Sequence, residues 1–178
     1  MPPRLVPIKM LGATKKKLDE WEKEGIIVPI SYNDHITFVS ALNPVEKEHG
    51  KEANETLDAD DIRITVDCRN VNKAIINERI TLLPDQQQIE YDLNNAQLFS
   101  MIDVRNAFST LSLSKDATTL FTFSTPWGLY RLVRFVQGVS ISSEAYQSFI
   151  IEKFKDIQFV KCCIDDFLIY GKPDSDSH

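Results

Sequence analysis

The stretch that decides the fold is FVKCCIDDFLIYG, residues 159–171. Its two apolar segments flank the adjacent acids Asp165 and Asp166, which predicts two short β-strands separated by the acidic pair. A second stretch, LFSMIDV at residues 98–104, predicts a strand that is nearly all apolar until Asp103. Three carboxylates therefore stand where the pattern otherwise calls for apolar side chains.

The placement of these acids points to a cation site. A carboxylate taken out of water is costly unless a charge or a metal compensates, so folds tolerate it mainly at functional sites. If the two strands lie side by side, Asp103 and Asp165 converge at their ends. Such a cluster suits two divalent ions about 3.5–4 Å apart that assist phosphoryl transfer. The alternative is that Asp165 and Asp166 form only the turn of a β-hairpin, where Asp is common.

Length and composition exclude several classes of protein. The chain has 178 residues, enough for one domain with a real core, and is 43% hydrophobic and 26% charged, which is ordinary for a globular protein. Its 10 Phe, 5 Tyr and 2 Trp argue against disorder. Three cysteines, two of them adjacent, argue against a disulfide scaffold and favour a reducing compartment. The sequence contains no apolar run long enough to predict a membrane span, and its N-terminus lacks the pattern of a secretory signal.

The acidic charge is concentrated in one segment. The net charge of −6 argues at first sight against a nucleic-acid partner, but residues 46–61 carry −5 of it. The remainder, at about −1, can still arrange a basic groove. Residues 15–17 are three consecutive lysines, which form either a solvated face or a contact to a phosphate backbone.

The remaining pattern predicts an α+β fold rather than a doubly wound parallel sheet, because strands and helices do not strictly alternate. We expect an extended segment over the first eleven residues, helices at 14–24 and 85–93 and a last helix that runs through about Phe154, and strands at 26–30, 36–42, 62–68, 120–124 and 129–136. Thr14 is the expected cap of the first helix and Gly25 its end, while Ser140 or Ser142 is the expected cap of the last. Ala145, Phe149, Ile150 and Phe154 are expected on one face of that last helix. Thr125-Pro126-Trp127-Gly128 is a strong hairpin signal.

Five segments, in order, resemble the reverse transcriptases of retroviruses and gypsy-type LTR retrotransposons. The segments are LDEWEKEGIIVPI (18–30), IRITVDCRNVNKAI (62–75), LFSMIDVRNAFSTLSL (98–113), LFTFSTPWGLYRLVRFVQGVSISSEAYQ (120–147) and CIDDFLIY (163–170). One Asp-Asp pair is a weak signal, whereas five motifs with near-family spacing are specific. One departure is Cys163, which replaces the aromatic residue of the family's Y-x-D-D motif.

The resemblance implies a right-hand polymerase with an antiparallel palm sheet and flanking helices. Fingers would comprise residues 1–77 and 111–141, and the palm residues 78–110 and 142–178. A thumb, a connection region and a ribonuclease H domain, absent from this chain, would follow, or a dimer partner would complete the enzyme.

The resemblance also implies the metal ligands. Asp103 and Asp165 would hold two Mg²⁺ or Mn²⁺ ions, with Asp166 beside them and the backbone carbonyl of Val104 completing the shell. The reaction would be template-directed DNA synthesis, with an RNA or DNA template, a primer and a dNTP as partners and no membrane involved. We expect the protein in the cytoplasm, in virus-like particles there, or in the nucleus. The alternative is a truncated or domesticated element fragment that binds nucleic acid or protein without polymerising.

Arg63 and Phe108 are implied contacts of the incoming nucleotide. The guanidinium of Arg63 would grip the triphosphate, since it suits bidentate phosphate contacts. Phe108 would form a wall against a 2′-hydroxyl. The simpler alternatives are that Arg63 is a surface residue of a strand and that Phe108 is a core residue.

Gln137, Gly138 and a lysine complete the implied nucleotide contacts. Gln137 would touch the nucleotide or the template, and Gly138 would allow close backbone approach. Lys47 or Lys51 would supply a second phosphate contact. The simpler alternative for Gln137 is a polar residue at the edge of a hairpin.

Other polar groups have structural interpretations. Asp67 and Arg69 are expected to form a structural ion pair. Cys68, Cys162 and Cys163 are expected to be small buried residues, and the histidines fit no zinc-ligand spacing with them.

Overall fold

The computed structural model describes residues 4–31, 33–47, 56–76, 86–94 and 96–171. The α-helices are α1 (Leu11–Lys23), α2 (Arg69–Ala74), α3 (Gln86–Asp92), α4 (Lys115–Thr118) and α5 (Ser142–Phe154). The strands are β1 (Ile27–Ile30), β2 (Val39–Glu46), β3 (Ile62–Val66), β4 (Leu98–Asp103), β5 (Thr122–Thr125), β6 (Gly128–Leu132), β7 (Val160–Cys163) and β8 (Asp166–Gly171). Short 3-10 segments occupy Ile8–Met10, Ala59–Asp61 and Ala107–Thr110.

The chain divides into two compact units. The first contains Met1–Ile76 and Phe108–Ser140, and the second contains Asn77–Ala107 and Ile141–His178. The assignment of such units as fingers and palm stays a prediction. The mixed content of helices and strands, with separate sheets, agrees with the predicted α+β class.

The first unit is built on a five-stranded sheet with the order β1-β6-β5-β2-β3. All neighbours are antiparallel except β2 and β5, which run parallel. Alternation in β3 buries Ile62, Ile64 and Val66 and leaves Arg63 exposed, as the sequence pattern predicts. Leu18 of α1 and Phe123 of β5 are fully buried and contribute to the core of this unit.

The predicted hairpin between β5 and β6 is confirmed. Thr125 pairs with Gly128, so Pro126 and Trp127 form a two-residue loop. Gly128 has a φ of +131°, a conformation that side-chain-bearing residues rarely adopt. A side-chain hydrogen bond also stabilises this hairpin: the Thr125 hydroxyl donates to the Gly128 carbonyl oxygen at 2.9 Å.

The prediction for the N-terminus is wrong. Residues 8–10 form a 3-10 turn and α1 begins at Leu11, so this segment is not extended. Met10 occupies the N-cap, and Thr14 lies fully buried inside the helix instead of capping it. Burial against the first unit outweighs the weak helix preference of Thr. Gly25, with a φ of +67°, follows the end of the helix as predicted.

The second unit contains a three-stranded antiparallel sheet with the order β4-β8-β7. Phe154 of α5 meets Phe167 of β8 edge to face, with ring centroids 5.0 Å apart. Ile141 occupies the N-cap of α5 without a side-chain bond, so neither predicted serine caps the helix.

The buried face of α5 also differs from the prediction. Its buried residues are Ser142, Tyr146, Gln147 and Ile150, whereas Ala145 and Phe149 are only partly buried. Because a glutamine and a serine belong to this face, a search for apolar periodicity misplaces it. Among the helices that the structure describes, none is long and apolar enough to cross a membrane.

Candidate active site

The predicted convergence of the acidic strands is confirmed. In the antiparallel ladder between β4 and β8, Asp103 is the direct partner of Asp166. One step further along, the backbone N–H of Val104 donates to the carbonyl oxygen of Asp165 at 2.9 Å. The three acids that the sequence singles out therefore meet at one end of the sheet.

The turn that carries the acids is a tight hairpin. Cys163 pairs with Asp166, which leaves Ile164 and Asp165 as the two loop residues. The interpretation of this stretch as a hairpin turn is therefore also right. It does not compete with a catalytic role, because the turn brings its acids to the end of β4.

The expectation that these acids are buried is wrong. Asp103 and Asp166 are exposed and Asp165 is half-buried. β4 is the edge of its sheet, and its apolar side chains are open to solvent: Leu98 is 75% exposed and Met101 is 77% exposed. The apolar run at 98–102 thus marks a strand but does not mark burial.

The carboxylates suit a hard divalent cation. Side chains of directly opposed residues project from the same face, with Cα atoms about 4.5–5.5 Å apart, and like charges there repel. Within the described residues, no ion pair or side-chain hydrogen bond engages Asp103, Asp165 or Asp166. No group of three or more acids, His or Cys in the described part of the chain is arranged to enclose a metal by itself. Magnesium commonly takes one or two carboxylates and completes its shell with substrate phosphates and water, so the pair fits this ion.

Helix α5 contacts the acidic turn through two side chains. Gln147 donates a hydrogen bond to the Cys162 carbonyl oxygen and accepts one from the Ile164 backbone N–H. Tyr146 is almost fully buried, and this burial, with a further contribution from the Asp165 carboxylate, raises the pKa of its phenol. Sequence analysis assigned no role to Gln147, although this residue ends the fourth segment of the family resemblance, at 120–147.

Arg63 and Lys47 lie at one end of the first unit's sheet. Arg63 is exposed on β3 directly opposite Val45 of β2. Lys47 follows two residues after Val45, and its backbone N–H donates to the Asp61 carbonyl oxygen at 2.8 Å. Lys47 lies one residue beyond β2, so both cations belong to the same end of the β2–β3 pair. Lys51, the other lysine considered, lies outside the described residues.

Gln137 and Gly138 form an exposed turn between the buried residues Val136 and Val139. Gly138 has a φ of +106°, which favours glycine, and a Cβ there would lie 3.5 Å from the Val66 carbonyl oxygen. The turn is therefore placed beside the end of β3, the strand that carries Arg63.

Asn72 of α2 fastens the same turn. Its Nδ2 donates to the Gly138 carbonyl oxygen at 2.9 Å, and its Oδ1 accepts from the Ser140 backbone N–H at 3.0 Å. Sequence analysis missed this residue, because its partners lie 66 and 68 positions further along the chain.

Phe108 lies in the 3-10 segment and is half-buried. Arg134 supports this segment. Its guanidinium donates to the carbonyl oxygens of Ser109 and Thr110 at 3.1 and 3.3 Å, and to that of Gly25 at 3.1 Å. The backbone around Phe108 is therefore tied to the end of α1.

The structural ion pair of Asp67 and Arg69 is confirmed. The guanidinium donates to both carboxylate oxygens, at 2.8 and 2.6 Å, which lowers the pKa of Asp67 to about 2. A cavity of about 490 Å³ in the first unit is lined by this pair together with Asn72 and Lys73 of α2. Sequence patterns did not indicate this cavity.

The three lysines of α1 favour the solvated-face interpretation. Lys16 pairs with Asp58 at 2.6 Å, Lys17 pairs with Glu20 at 2.9 Å, and Lys15 pairs with Asp19. These acids neutralise the positive charge with which the lysines would attract a phosphate backbone.

The cysteines differ from one another in burial. Cys68 is buried, and burial raises the pKa of its thiol to about 11. Cys162 is partly buried and Cys163 is exposed, so the expectation of a buried residue is wrong for Cys163. Cys163 is exposed because it closes the acidic turn at the end of its strand.

Comparisons with known proteins identify the family of the chain. The family model "Reverse transcriptase (RNA-dependent DNA polymerase)" matches residues 45–178. The Pol polyprotein of Drosophila melanogaster transposon opus is 25% identical over 97% of this chain and 16% of its own length. That of transposon 412 is 26% identical over 68% of this chain and 10% of its own length. The chain thus spans a small part of these relatives.

Solved structures show the same fold. The prototype foamy virus protease–reverse transcriptase superposes with a TM-score of 0.79 at 19% identity, covering 97% of this chain and 21% of that one. The fold is that of the fingers and palm of reverse transcriptases. The chain belongs to the reverse transcriptase family, whose model matches more than half of its length.

Proposed function

We propose that this chain provides the fingers and palm of an RNA-directed DNA polymerase and carries its catalytic carboxylates. The observation that carries the proposal is the register of β4 and β8, which sets Asp103 opposite Asp166 with Asp165 beside them. Such a set of carboxylates suits nucleotidyl transfer, in which a primer 3′-hydroxyl attacks the α-phosphorus of a dNTP and pyrophosphate leaves.

Asp103, Asp165 and the Val104 carbonyl would hold Mg²⁺ or Mn²⁺, with Asp166 beside them. The bound metal would lower the pKa of the 3′-hydroxyl and offset charge on the pyrophosphate. The protein's own part is to keep these oxygen ligands aligned before substrate arrives, which the short hairpin and the paired edge strand support. Most of the remaining rate comes from positioning the two substrates.

The first unit supplies the proposed nucleotide contacts. Arg63 and Lys47 lie at the same end of the β2–β3 pair and suit a triphosphate, which needs cationic donors. The exposed turn at Gln137 and Gly138 suits contact with the nucleotide or template. Half-buried Phe108 suits a wall beside the sugar, which would favour dNTP over NTP.

The template, the primer and further polymerase subdomains or a second copy are the proposed partners. Foamy virus protease–reverse transcriptase has been solved with double-stranded DNA and with an RNA/DNA hybrid, and these complexes superpose on this chain with TM-scores of 0.75 and 0.71. This likeness supports a primer–template duplex as the substrate here.

One observation favours a second candidate, a binding module without polymerase activity. Cys163 stands where the resemblance expects an aromatic residue, next to the catalytic acids. A small side chain there removes packing that would otherwise support a primer end. The intact acids and Arg63 count against this candidate.

A primer-extension experiment distinguishes the polymerase from the binding module. Residues 1–178 are incubated with a primed RNA template, dNTPs and Mg²⁺ at low salt, because affinity that depends on phosphate contacts falls with salt. We expect the addition of nucleotides by the wild type and no addition by Asp103→Asn or Asp165→Asn. Asp156→Asn, an exposed acid of the same unit, is the matched control and should retain activity.

Extension by Asp103→Asn at the wild-type rate would refute the catalytic assignment. Absence of extension by folded wild-type protein that still binds the primed template would favour the binding module.

A further inference from the structure

One side chain of α5, that of Gln147, makes hydrogen bonds to the hairpin that carries Asp165 and Asp166. The Nε2 of Gln147 donates to the Cys162 carbonyl oxygen at 3.1 Å, and its Oε1 accepts from the Ile164 backbone N–H at 2.7 Å. Gln147 is 0% exposed and lies in the middle of α5. Both ends of one amide are therefore used where β7 leads into the turn.

The turn needs such support. Ile164 has a φ of +55°, in the left-handed region that is unfavourable for a β-branched residue. Strained backbone persists only where its surroundings over-determine it. The two bonds from Gln147 hold the Ile164 amide and the Cys162 carbonyl group on its N-terminal side, and Asp165 comes directly after Ile164.

The position would accept an apolar residue if packing were its only task. The neighbours of Gln147 on the buried face of α5 include Tyr146 and Ile150. A buried amide must have its donor and acceptor satisfied to avoid a penalty, so an amide here gains from bonds that an aliphatic side chain would not need. Those bonds go to the end of β7 and to the first loop residue of the acidic turn, and among the described residues this side chain makes no others.

We propose that Gln147 is a positioning residue that sets the conformation of the 163–166 turn and thereby the alignment of Asp165 and Asp166 with Asp103. This inference rests on the proposed polymerase function. Its structural part, the control of the turn by Gln147, does not depend on activity. Because the proposed nucleotide contacts belong to the other unit, losing this control lowers kcat and leaves the KM for dNTP unchanged.

The test compares Gln147→Met with Ile150→Val. Methionine keeps the volume and removes both hydrogen bonds, whereas the valine variant perturbs packing on the same buried face without touching the turn. NMR measures hydrogen exchange of the Ile164 amide, thermal unfolding measures stability, and primer extension measures kcat and KM. We expect faster exchange and a loss in kcat of about tenfold to a hundredfold for Gln147→Met alone, since small misplacements of catalytic groups have effects of this size.

A second background separates turn control from general stability. Asn tolerates a positive φ better than Ile, so Ile164→Asn relieves the strain that Gln147 offsets. We expect Gln147→Met to reduce kcat less in the Ile164→Asn background than in the wild type. Equal losses in both backgrounds would overturn the proposal.

The remaining outcomes also decide. Unchanged Ile164 exchange in folded Gln147→Met would overturn the proposal whether or not the protein polymerises. Faster exchange together with no extension by the wild type would support turn control and refute the polymerase function instead. Equal losses of kcat in Gln147→Met and Ile150→Val, at equal stability, would reduce Gln147 to a packing role.

Discussion

Asp103 and Asp166 are direct partners across the β4–β8 ladder, so two carboxylates of like charge face each other at the end of an exposed edge strand. This arrangement costs stability in the absence of a cation, and no basic residue within the described part of the chain forms an ion pair with either acid. A role of these acids in binding divalent ions and phosphates would account for this cost in stability.

Removing one of these charges should stabilise the metal-free protein. We expect Asp103→Asn to raise the free energy of unfolding by about 0.2–1 kcal/mol, because cross-strand charge pairs have effects of this size. Denaturant titrations without divalent cations measure the change, and Asp156→Asn is the control. Added Mg²⁺ should stabilise the wild type more than the variant. A less stable Asp103→Asn protein would contradict the inferred repulsion.

Shortening Phe108 should weaken sugar discrimination. We expect Phe108→Val to raise ribonucleotide incorporation relative to deoxyribonucleotide by roughly tenfold or more, the range that small changes in a pocket produce. Competition between dNTP and NTP in primer extension measures the ratio. An unchanged ratio with a stability loss of about 1–3 kcal/mol would instead make Phe108 a packing residue.

Cutting the side chain of Asn72 should loosen the Gln137–Gly138 turn. Two hydrogen bonds are lost, so we expect Asn72→Ala to lower the free energy of unfolding by about 1–2 kcal/mol. If the turn contacts the nucleotide, the KM for dNTP should rise as well. Asn70→Ala, an exposed neighbour on the same helix, is the control. Faster exchange of the Ser140 amide should accompany the effect, and unchanged exchange would show that the turn holds without Asn72.

The Asp67–Arg69 pair predicts a pH dependence of stability. The pKa of Asp67 falls to about 2 in the folded protein, below its value of about 3.9 in an unfolded chain. Its contribution is therefore fully present above about pH 4 and is lost as the pH falls through about 2. Because Arg69 is largely exposed, we expect no more than about 1 kcal/mol. Denaturant titrations of wild type and Asp67→Asn at pH 5 and pH 2 measure this difference, which should shrink at the lower pH.

The lysines of α1 should not contribute to nucleic-acid binding. Lys16 is engaged by Asp58, so we expect Lys16→Ala to leave both the affinity for a primer–template duplex and its salt dependence unchanged. Fluorescence anisotropy at several salt concentrations measures both quantities. A weaker salt dependence in the variant would restore the phosphate-contact interpretation.

The amino-acid sequence by itself determined the elements that local patterns encode. Alternation identified β3 with its exposed Arg63, and the Thr125–Gly128 turn identified the β5–β6 hairpin. The acids at 103, 165 and 166 were recognisable because charge interrupted apolar strands, and the order of the motifs indicated the family. These features depend on residues close together in the chain, where backbone preference and periodicity act directly.

Only the tertiary structure decided which side chains support the site. Gln147 reaches Ile164 across 17 positions and Asn72 reaches Ser140 across 68, and no local pattern encodes such pairs. Burial was misjudged for the same reason: the apolar run of β4 stays exposed because its main contacts among the described residues are with β8 and little covers its faces, while Thr14 is buried because α1 packs on its own unit. Exposure and long-range hydrogen bonds depend on how elements pack, which periodicity along a single segment does not contain.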